Sequence, residues 1–144
     1  MNNWQKFWQL TPQERHVFLL AVMLTPLVKL GLHALGWQRL MRLLERSGSS
    51  RAQHPPAPQT HDYVRRTAYI VNAAASRRLV RGTCLQRSIV LWWLLQCDGI
   101  ETRLMLGSRK EQGRFQAHAW VEHEGEIIND RSEIREEFAA FEQA

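Results

Sequence analysis

One stretch near the middle of the chain limits the fold more than any other. Residues 85–95 are apolar on almost every side of a predicted helix, with polar residues only near its start, and such a helix must be buried on most faces. Thr83 followed three residues later by Gln86 predicts a capping box at the helix start. Asp98 and Gly99 predict its end, with Gly99 in the left-handed conformation. The rest of the chain is therefore expected to pack around this helix.

Cys84 is the first residue of this predicted helix. Unpaired backbone N–H groups and the positive end of the helix dipole favour a thiolate there. A cysteine can also be a small buried hydrophobic residue, and the helix start alone does not decide between these roles. Cys97 lies about 20 Å further along the same helix, so a disulfide between the two is not expected. A reducing, cytoplasmic setting fits this cysteine usage best.

The chain has 144 residues, a length sufficient for one domain with a substantial core. Its net charge is +5. The positive charge comes mainly from arginine and would suit nucleic acid, anionic lipid or an acidic peptide. No homopolymeric basic run or zinc-finger spacing occurs, so nucleic acid is not expected as a partner. His54 and His61 have no matching His/Cys cluster elsewhere, so neither a metal nor a cofactor is predicted.

Composition divides the chain into a helical arm (1–46), a linker rich in serine and proline (47–61) and a core (62–144). Thr11 to Glu14 predicts a second capping box, which starts the arm. Thr25-Pro26 is expected to split the arm's apolar run into a kinked helix pair, each part too short to span a membrane. Membrane association is therefore not favoured. The arm is expected to pack on the core and to form a docking surface for a partner protein.

The core is expected to be an α+β domain in which the cysteine-bearing helix packs on a small antiparallel sheet. After Gly99 the hydrophobic period changes from helical spacing to alternation. The predicted elements are a helix over Asp62–Val80, strands over Ile100–Gly107, Phe115–Glu122 and Glu126–Asp130, a polar turn over Ser108–Arg114, and a closing helix over Glu133–Phe141.

Cys84, His118 and Asp130 follow one another in an order that suggests nucleophilic catalysis. A thiol nucleophile needs a base within hydrogen-bonding reach, and the base needs a third group that fixes its tautomer. The hairpin register decides whether the last two residues can meet. A two-residue turn at Glu124-Gly125 would put Asp130 on the wrong face of the sheet, whereas a three-residue turn would make it a diagonal neighbour of His118. The catalytic hypothesis therefore predicts the longer turn.

Three nearby side chains compete for these roles. Asn129 would replace Asp130 as the orienting group only in the shorter-turn register. His123 points away from His118 by alternation and is predicted to be exposed. Gln86 is assigned to the helix cap and not to an oxyanion hole.

The chain resembles a known family in its Cys84-Leu85-x-x-Ser88 motif, in Gly99-Ile100, in the Ala-His-Ala-Trp-Val-Glu segment 117–122, and in Gly125 and Asp130. These features, and a Pro-Glu-Arg apolar arm at the N-terminus, are similar to the lasso-peptide leader peptidases. These are small bacterial enzymes of the transglutaminase-like, papain-related fold. The resemblance covers nearly the whole chain and is most specific in segment 117–122.

The resemblance implies that Cys84 is the nucleophile, His118 the general base and acid, and Asp130 the orienting group. The upstream glutamine that often serves papain-type enzymes as an oxyanion donor is missing, which leaves the backbone N–H of Cys84 as a candidate. The resemblance also implies that the second-last residue of the removed leader is a threonine. It implies three partners: the precursor peptide, a separate leader-recognition protein and an ATP-dependent lasso cyclase.

The leading hypothesis is thus a cytoplasmic cysteine endopeptidase that acts through an acyl-enzyme on Cys84. Two alternatives stay open. One is transglutaminase-type acyl transfer to an amine. The other is a non-catalytic adaptor of a peptide-modifying complex, in which Cys84, His118 and Asp130 are structural.

Overall fold

The computed structural model describes residues 3–51, 60–77 and 80–142. Helices make up the N-terminal two-thirds of the chain, and a small sheet follows. The elements are α1 (Asn3–Trp8), α2 (Pro12–Leu35), α3 (Trp37–Arg51), α4 (Thr60–Ala75), α5 (Cys84–Cys97), β1 (Arg103–Glu111), β2 (Arg114–His123), β3 (Glu126–Ile127), α6 (Ile134–Glu137) and β4 (Ala139–Glu142).

Helix α5 begins and ends where the sequence predicts. The Thr83 hydroxyl accepts a bond from the backbone N–H of Gln86 at 3.3 Å, and the Gln86 side chain accepts one from the N–H of Thr83 at 3.1 Å. At the other end, Gly99 has φ 75°. Its N–H and that of the following residue each donate to carbonyls in the last turn, at 3.0 Å. Both the capping box and the left-handed glycine stop are confirmed.

The predicted burial of α5 is confirmed as well. Helices α2, α3 and α4 pack around α5, and strands β1 and β2 also pack against it. Its largest buried side chain, Trp92, is 1 % exposed. The main core is therefore formed around one helix, and its buried residues on α5 are Ile89, Val90, Leu91, Trp92, Leu94 and Leu95.

Helix α2 differs from expectation, because it runs through Pro26 without interruption. A proline inside a helix costs about 3 kcal/mol, and the packing of the residues around it outweighs that cost. Ala21, Thr25 and Val28 are all buried on this helix, and the Thr25 hydroxyl donates to the carbonyl of Ala21 at 2.7 Å. The prediction that Thr25-Pro26 splits this run into two helices is wrong. Within the described ranges, α2 is the one helix whose length and composition would suffice to cross a membrane.

The arm packs on the core, as expected. Ala21 and Val28 from α2 and Leu40 and Met41 from α3 belong to the same buried cluster as α5. Helix α3 continues to Arg51, so the first residues of the predicted linker are helical. Residues 52–59 of that linker lie outside the described residues. The division into arm, linker and core, and the arm's role in docking a partner, stay predictions.

The sheet has the order β3-β2-β1-β4, with every neighbouring pair antiparallel. The α+β fold class is therefore confirmed. The polar turn predicted over Ser108–Arg114 shrinks to Gln112 and Gly113, which have φ 51° and 76°. Strands β1 and β2 are therefore paired up to this two-residue turn, with Glu111 opposite Arg114.

The closing helix predicted over Glu133–Phe141 is wrong in its second half. One turn of helix, α6, is followed by β4, which pairs with β1. The free edge of β1 offers backbone donors and acceptors that a short terminal strand can satisfy. This return places Ile134 and Phe138 against Trp120 in a second, smaller core.

A hydrogen bond also joins α4 to the end of α5. The Tyr63 hydroxyl donates to the Asp98 carboxylate at 2.6 Å. Two causes raise the pKa of Tyr63 to about 12: the larger is its partial burial, and the second is the neighbouring Asp98 carboxylate. The phenol therefore stays protonated, and keeps donating, at neutral pH.

Replacement of Thr83 by alanine removes the hydroxyl that caps α5. We expect the free energy of unfolding to fall by about 1 kcal/mol, measured by urea denaturation. Thr83→Ser keeps the hydroxyl and should retain most of the stability. An alanine variant as stable as the wild type would show that the capping box does not stabilise the fold.

Candidate active site

Cys84 stands at the start of α5 and is partly exposed. The preceding loop is held close to the helical layer, since a Cβ added at Gly82 would lie 2.6 Å from Thr25 of α2 and 3.3 Å from Ala75 of α4. As the first residue of the helix, Cys84 has a backbone N–H without an intrahelical acceptor. Cys97, the other cysteine, lies at the far end of α5.

His118 and Asp130 meet, as the catalytic hypothesis requires. The imidazole Nε2 lies 2.6 Å from the Asp130 carboxylate, and both side chains are partly buried, 18 % and 25 % exposed. The other carboxylate oxygen accepts the backbone N–H of Arg131 at 2.7 Å. The carboxylate therefore fixes the orientation of the ring and leaves Nδ1 for a thiol.

The hairpin that brings them together is not the predicted one. His123 pairs with Glu126 and Glu122 with Ile127, so the turn has two residues. Glu124 and Gly125 have φ 50° and 81°, as a type I′ turn requires. The prediction of a longer, bulged turn is wrong.

Asp130 still reaches His118 because β3 ends after Ile127. Ile128 makes one more bond to β2, from its N–H to the carbonyl of Val121 at 3.0 Å. Beyond it the chain turns away from the ladder. Alternation between faces applies only within a strand, so it no longer determines the direction of the Asp130 side chain.

Asn129 is the residue that ends the ladder. Its side-chain oxygen accepts a hydrogen bond from the N–H of Val121 at 2.8 Å. If β3 continued, that N–H would donate to a backbone carbonyl of β3 instead. Its amide nitrogen donates to Ser88 at 2.9 Å, and its carbonyl accepts from Asn72 of α4 at 3.0 Å. Asn129 is therefore a structural link, and the suggestion that it orients His118 in this register is wrong.

Ser88 carries this link to the cysteine helix. Its hydroxyl donates to the carbonyl of Ala119 at 3.1 Å and is fully buried. Cys84 lies one helical turn before Ser88 on the same side of α5, since residues four apart are neighbours on a helix surface. The start of α5 is thus anchored beside the strand segment that carries His118.

The structure does not show the remaining contact of the catalytic hypothesis, the one between the Cys84 thiol and the His118 imidazole. Among the described residues, no hydrogen bond joins the Cys84 thiol to His118. Strand alternation places His118 and Trp120 on the sheet face that carries the smaller core, while Val121 faces the main core around α5. The structure therefore shows a histidine–aspartate pair on one face of the sheet and a cysteine at the start of the helix that packs on the other face.

The other predicted roles are settled individually. Gln86 is occupied by the cap of α5, as predicted. His123 does point away from His118, but it is 6 % exposed, so the prediction of an exposed side chain is wrong. Its Nδ1 lies 2.9 Å from the carbonyl of Glu101, which satisfies the buried ring. In the ranges described, no group of three or more His, Cys, Asp or Glu side chains could hold a metal ion.

Aromatic packing around His118 is a feature that sequence reasoning missed. Phe138 stacks on the imidazole at 5.1 Å between ring centroids, and Trp120 lies at 6.3 Å. The Arg109 guanidinium lies over the Phe138 ring, 4.7 Å from its centroid. Phe138 comes from the β4 return that the sequence did not reveal.

Gly107 makes this packing fit. It pairs with His118 across β1 and β2, and a Cβ there would lie 2.8 Å from Trp120 and 2.9 Å from Phe138. A glycine inside a predicted strand often marks such a close approach. That signal was available in the sequence.

Comparison with known proteins agrees with this architecture. The profile of the transglutaminase-like superfamily matches residues 27–143, and the chain belongs to that superfamily. Its fold is of the cysteine-protease and acyltransferase type. Searches of curated proteins and of solved structures give no significant match.

Replacement of Gly107 by alanine should disturb the packing around the His118 imidazole without replacing any of the three triad candidates. We expect a loss of about 1–3 kcal/mol in unfolding free energy from overpacking, measured by urea denaturation, together with a slower rate in any reaction that uses the His118 imidazole. Ser108→Ala, on the opposite face of the same strand, should change neither quantity appreciably. If Gly107→Ala matched the wild type in stability and rate, the close packing around His118 would have no functional role.

Proposed function

We propose that this protein is a cysteine endopeptidase that removes the leader from a ribosomally made lasso-peptide precursor. The observation that carries the proposal is the 2.6 Å contact between His118 and Asp130, in a fold whose central buried helix begins at Cys84. Membership of the transglutaminase-like superfamily supports a thiol-dependent acyl chemistry in general. The leader-peptide specificity rests on the motif resemblance, above all on segment 117–122.

In the proposed mechanism, Cys84 Sγ attacks the scissile carbonyl carbon while Nδ1 of His118 takes the thiol proton. The tetrahedral intermediate collapses, the C–N bond breaks, and His118 returns its proton to the leaving amine. The leader then forms a thioester with Cys84. Water attacks the thioester, His118 accepts the water proton, and the C–S bond breaks to release a free carboxylate. Asp130 stabilises the imidazolium in both halves.

The backbone N–H of Cys84 is the proposed oxyanion donor. It lies at a helix start, where N–H groups are unpaired and the dipole favours negative charge. Catalytic hydrogen bonds are often long in the free enzyme and tighten when substrate binds. The mechanism therefore requires the thiol and the imidazole to come together in the complex with the precursor.

The proposed partners are the precursor, a separate leader-recognition protein and the ATP-dependent lasso cyclase that acts next. A cytoplasmic location in a bacterium fits two cysteines that are not joined in a disulfide. Incubation of the purified protein with the precursor and the recognition protein, followed by mass spectrometry, tests the whole proposal. Two fragments cut at one bond would support it.

The open Cys84–His118 contact favours a second candidate, in which the protein is a non-catalytic adaptor. That candidate predicts no cleavage by the wild type under any condition.

Acyl transfer is distinguished from hydrolysis in the same assay by adding a small primary amine. A hydrolase gives a leader with a free carboxylate, whereas a transferase gives the amide.

Loss of either member of the nucleophile–base pair should abolish cleavage. We expect Cys84→Ala and His118→Ala each to lower the rate by about a thousandfold or more, measured by product mass, with circular dichroism confirming the fold. Cys97→Ala is the matched control and should cleave at nearly the wild-type rate. Substantial cleavage by Cys84→Ala would refute the mechanism, and a folded but inactive Cys97→Ala would identify a different nucleophile.

Asp130 and its neighbour Asn129 should behave differently when replaced. Asp130→Ala removes only the orienting group, so we expect its rate to stay on the order of a hundredfold above that of Cys84→Ala, with Asp130→Asn between Asp130→Ala and the wild type. Asn129→Ala leaves the N–H of Val121 without its acceptor and should lower the unfolding free energy by about 1–3 kcal/mol. Rate assays and urea denaturation on the same samples separate the two effects. A large rate loss confined to Asn129→Ala would reverse the two assignments.

A further inference from the structure

The outward face of α2 is apolar and exposed. Leu19, Met23, Leu27 and Leu30 are 53 %, 65 %, 55 % and 64 % exposed. Their spacing of four, four and three residues aligns them along one side of the helix over about 17 Å. We call these four residues the α2 stripe.

The α2 stripe has no cover within the described residues. The opposite side of the same helix, with Ala21, Thr25 and Val28, already packs on the core. Only 17 % of the apolar 18-residue segment of α2 is buried. Single exposed apolar side chains are ordinary, but a contiguous exposed row usually marks an interaction surface.

The charge of the protein is concentrated in the same region. Residues 1–51 contain seven Lys and Arg but two Asp and Glu, whereas residues 52–144 contain twelve of each. The whole net charge of +5 therefore belongs to the first 51 residues. Lys29 on α2 and Arg39, Arg42 and Arg46 on α3 are exposed.

We propose that the arm docks on an anionic membrane surface. Leucine side chains of the α2 stripe would enter the boundary between headgroups and acyl chains, and the arginines of α3 would contact lipid phosphates. Trp8, 63 % exposed, is a residue type that prefers this interface. The helix lies in the plane of the surface and does not span it, because its inner side holds the folded core.

Charge is the reason for choosing lipid over a second copy of the chain. A symmetric dimer through the α2 stripe would bring two positively charged arms together, which opposes association. An anionic surface complements both features of the arm, its exposed apolar row and its excess of arginine. An apolar patch on the recognition protein is an alternative that the experiment distinguishes.

The experiment is co-sedimentation of the full chain with vesicles of phosphatidylcholine, with and without phosphatidylglycerol, at low and high salt. The proposal predicts binding at least about tenfold tighter to the anionic vesicles, and weaker binding at high salt. The double variant Leu19→Gln/Leu27→Gln should lose at least about tenfold in affinity. Phe115→Gln is its control, because Phe115 is exposed to 76 % but lies outside the arm.

A second variant tests the charge. Arg39→Gln/Arg42→Gln/Arg46→Gln should bind anionic vesicles on the order of a hundredfold more weakly at low salt. Arg114→Gln, exposed on the sheet, is the single-charge control outside the arm and should bind like the wild type. Circular dichroism confirms that each variant stays folded.

Three results would overturn the proposal. They are equal sedimentation of wild type and stripe variant with anionic vesicles, a dimer in solution that the stripe variant abolishes, and loss of binding to the recognition protein in the stripe variant. The inference does not rest on the proposed peptidase activity. In a vesicle-free cleavage assay the stripe variant should match the wild type, so failure of one idea is distinguishable from failure of the other.

Discussion

Burial of α5 is the constraint on which the rest of the structure depends. A helix that is apolar on nearly all sides cannot remain in water, so it must be covered by other elements. Helices α2, α3 and α4 pack against it, and strands β1 and β2 complete the cover. The elements that bury α5 also bring residues from distant parts of the chain to its N-terminus.

Polar contacts convert this burial into a defined site. Buried polar groups must be hydrogen-bonded, and Ser88 and Asn129 satisfy each other while binding the backbone of β2 at Ala119 and Val121. Loss of any one bond would leave a buried donor or acceptor unpaired, so the register of α5 against β2 is strongly determined. His118 is the neighbour of Ala119 in this bonded segment, so the strand that carries His118 is fixed against the helix that begins at Cys84.

The two ends of the molecule carry different physical properties. The C-terminal part is electrically balanced and carries the histidine–aspartate pair, with aromatic rings around the imidazole. The N-terminal arm contributes one side of α2 to the core and leaves the other side apolar and exposed. The same arm also carries the protein's excess of lysine and arginine. The proposed chemistry and the proposed surface binding therefore use separate parts of one chain.

Local chemistry was sufficient to predict the elements whose limits depend on neighbouring residues. Both capping boxes and the glycine stop of α5 follow from short motifs. The same reasoning failed where distant contacts decide. Pro26 stays helical because buried neighbours on α2 outweigh its local cost.

The site illustrates the same division. Sequence identified His118 and Asp130 as partners but predicted the wrong turn, since alternation was applied beyond the end of β3. Only the tertiary structure showed that Asn129 ends the ladder by giving its side chain to the backbone of β2. Likewise, the stacking of Phe138 on His118 depends on β4 pairing with β1, a contact between segments far apart in the chain. The sequence by itself determined which helix is buried and which side chains can do chemistry, because these depend on composition and local spacing. The tertiary structure decided how those side chains meet, because that depends on long-range packing and on the hydrogen bonds it requires.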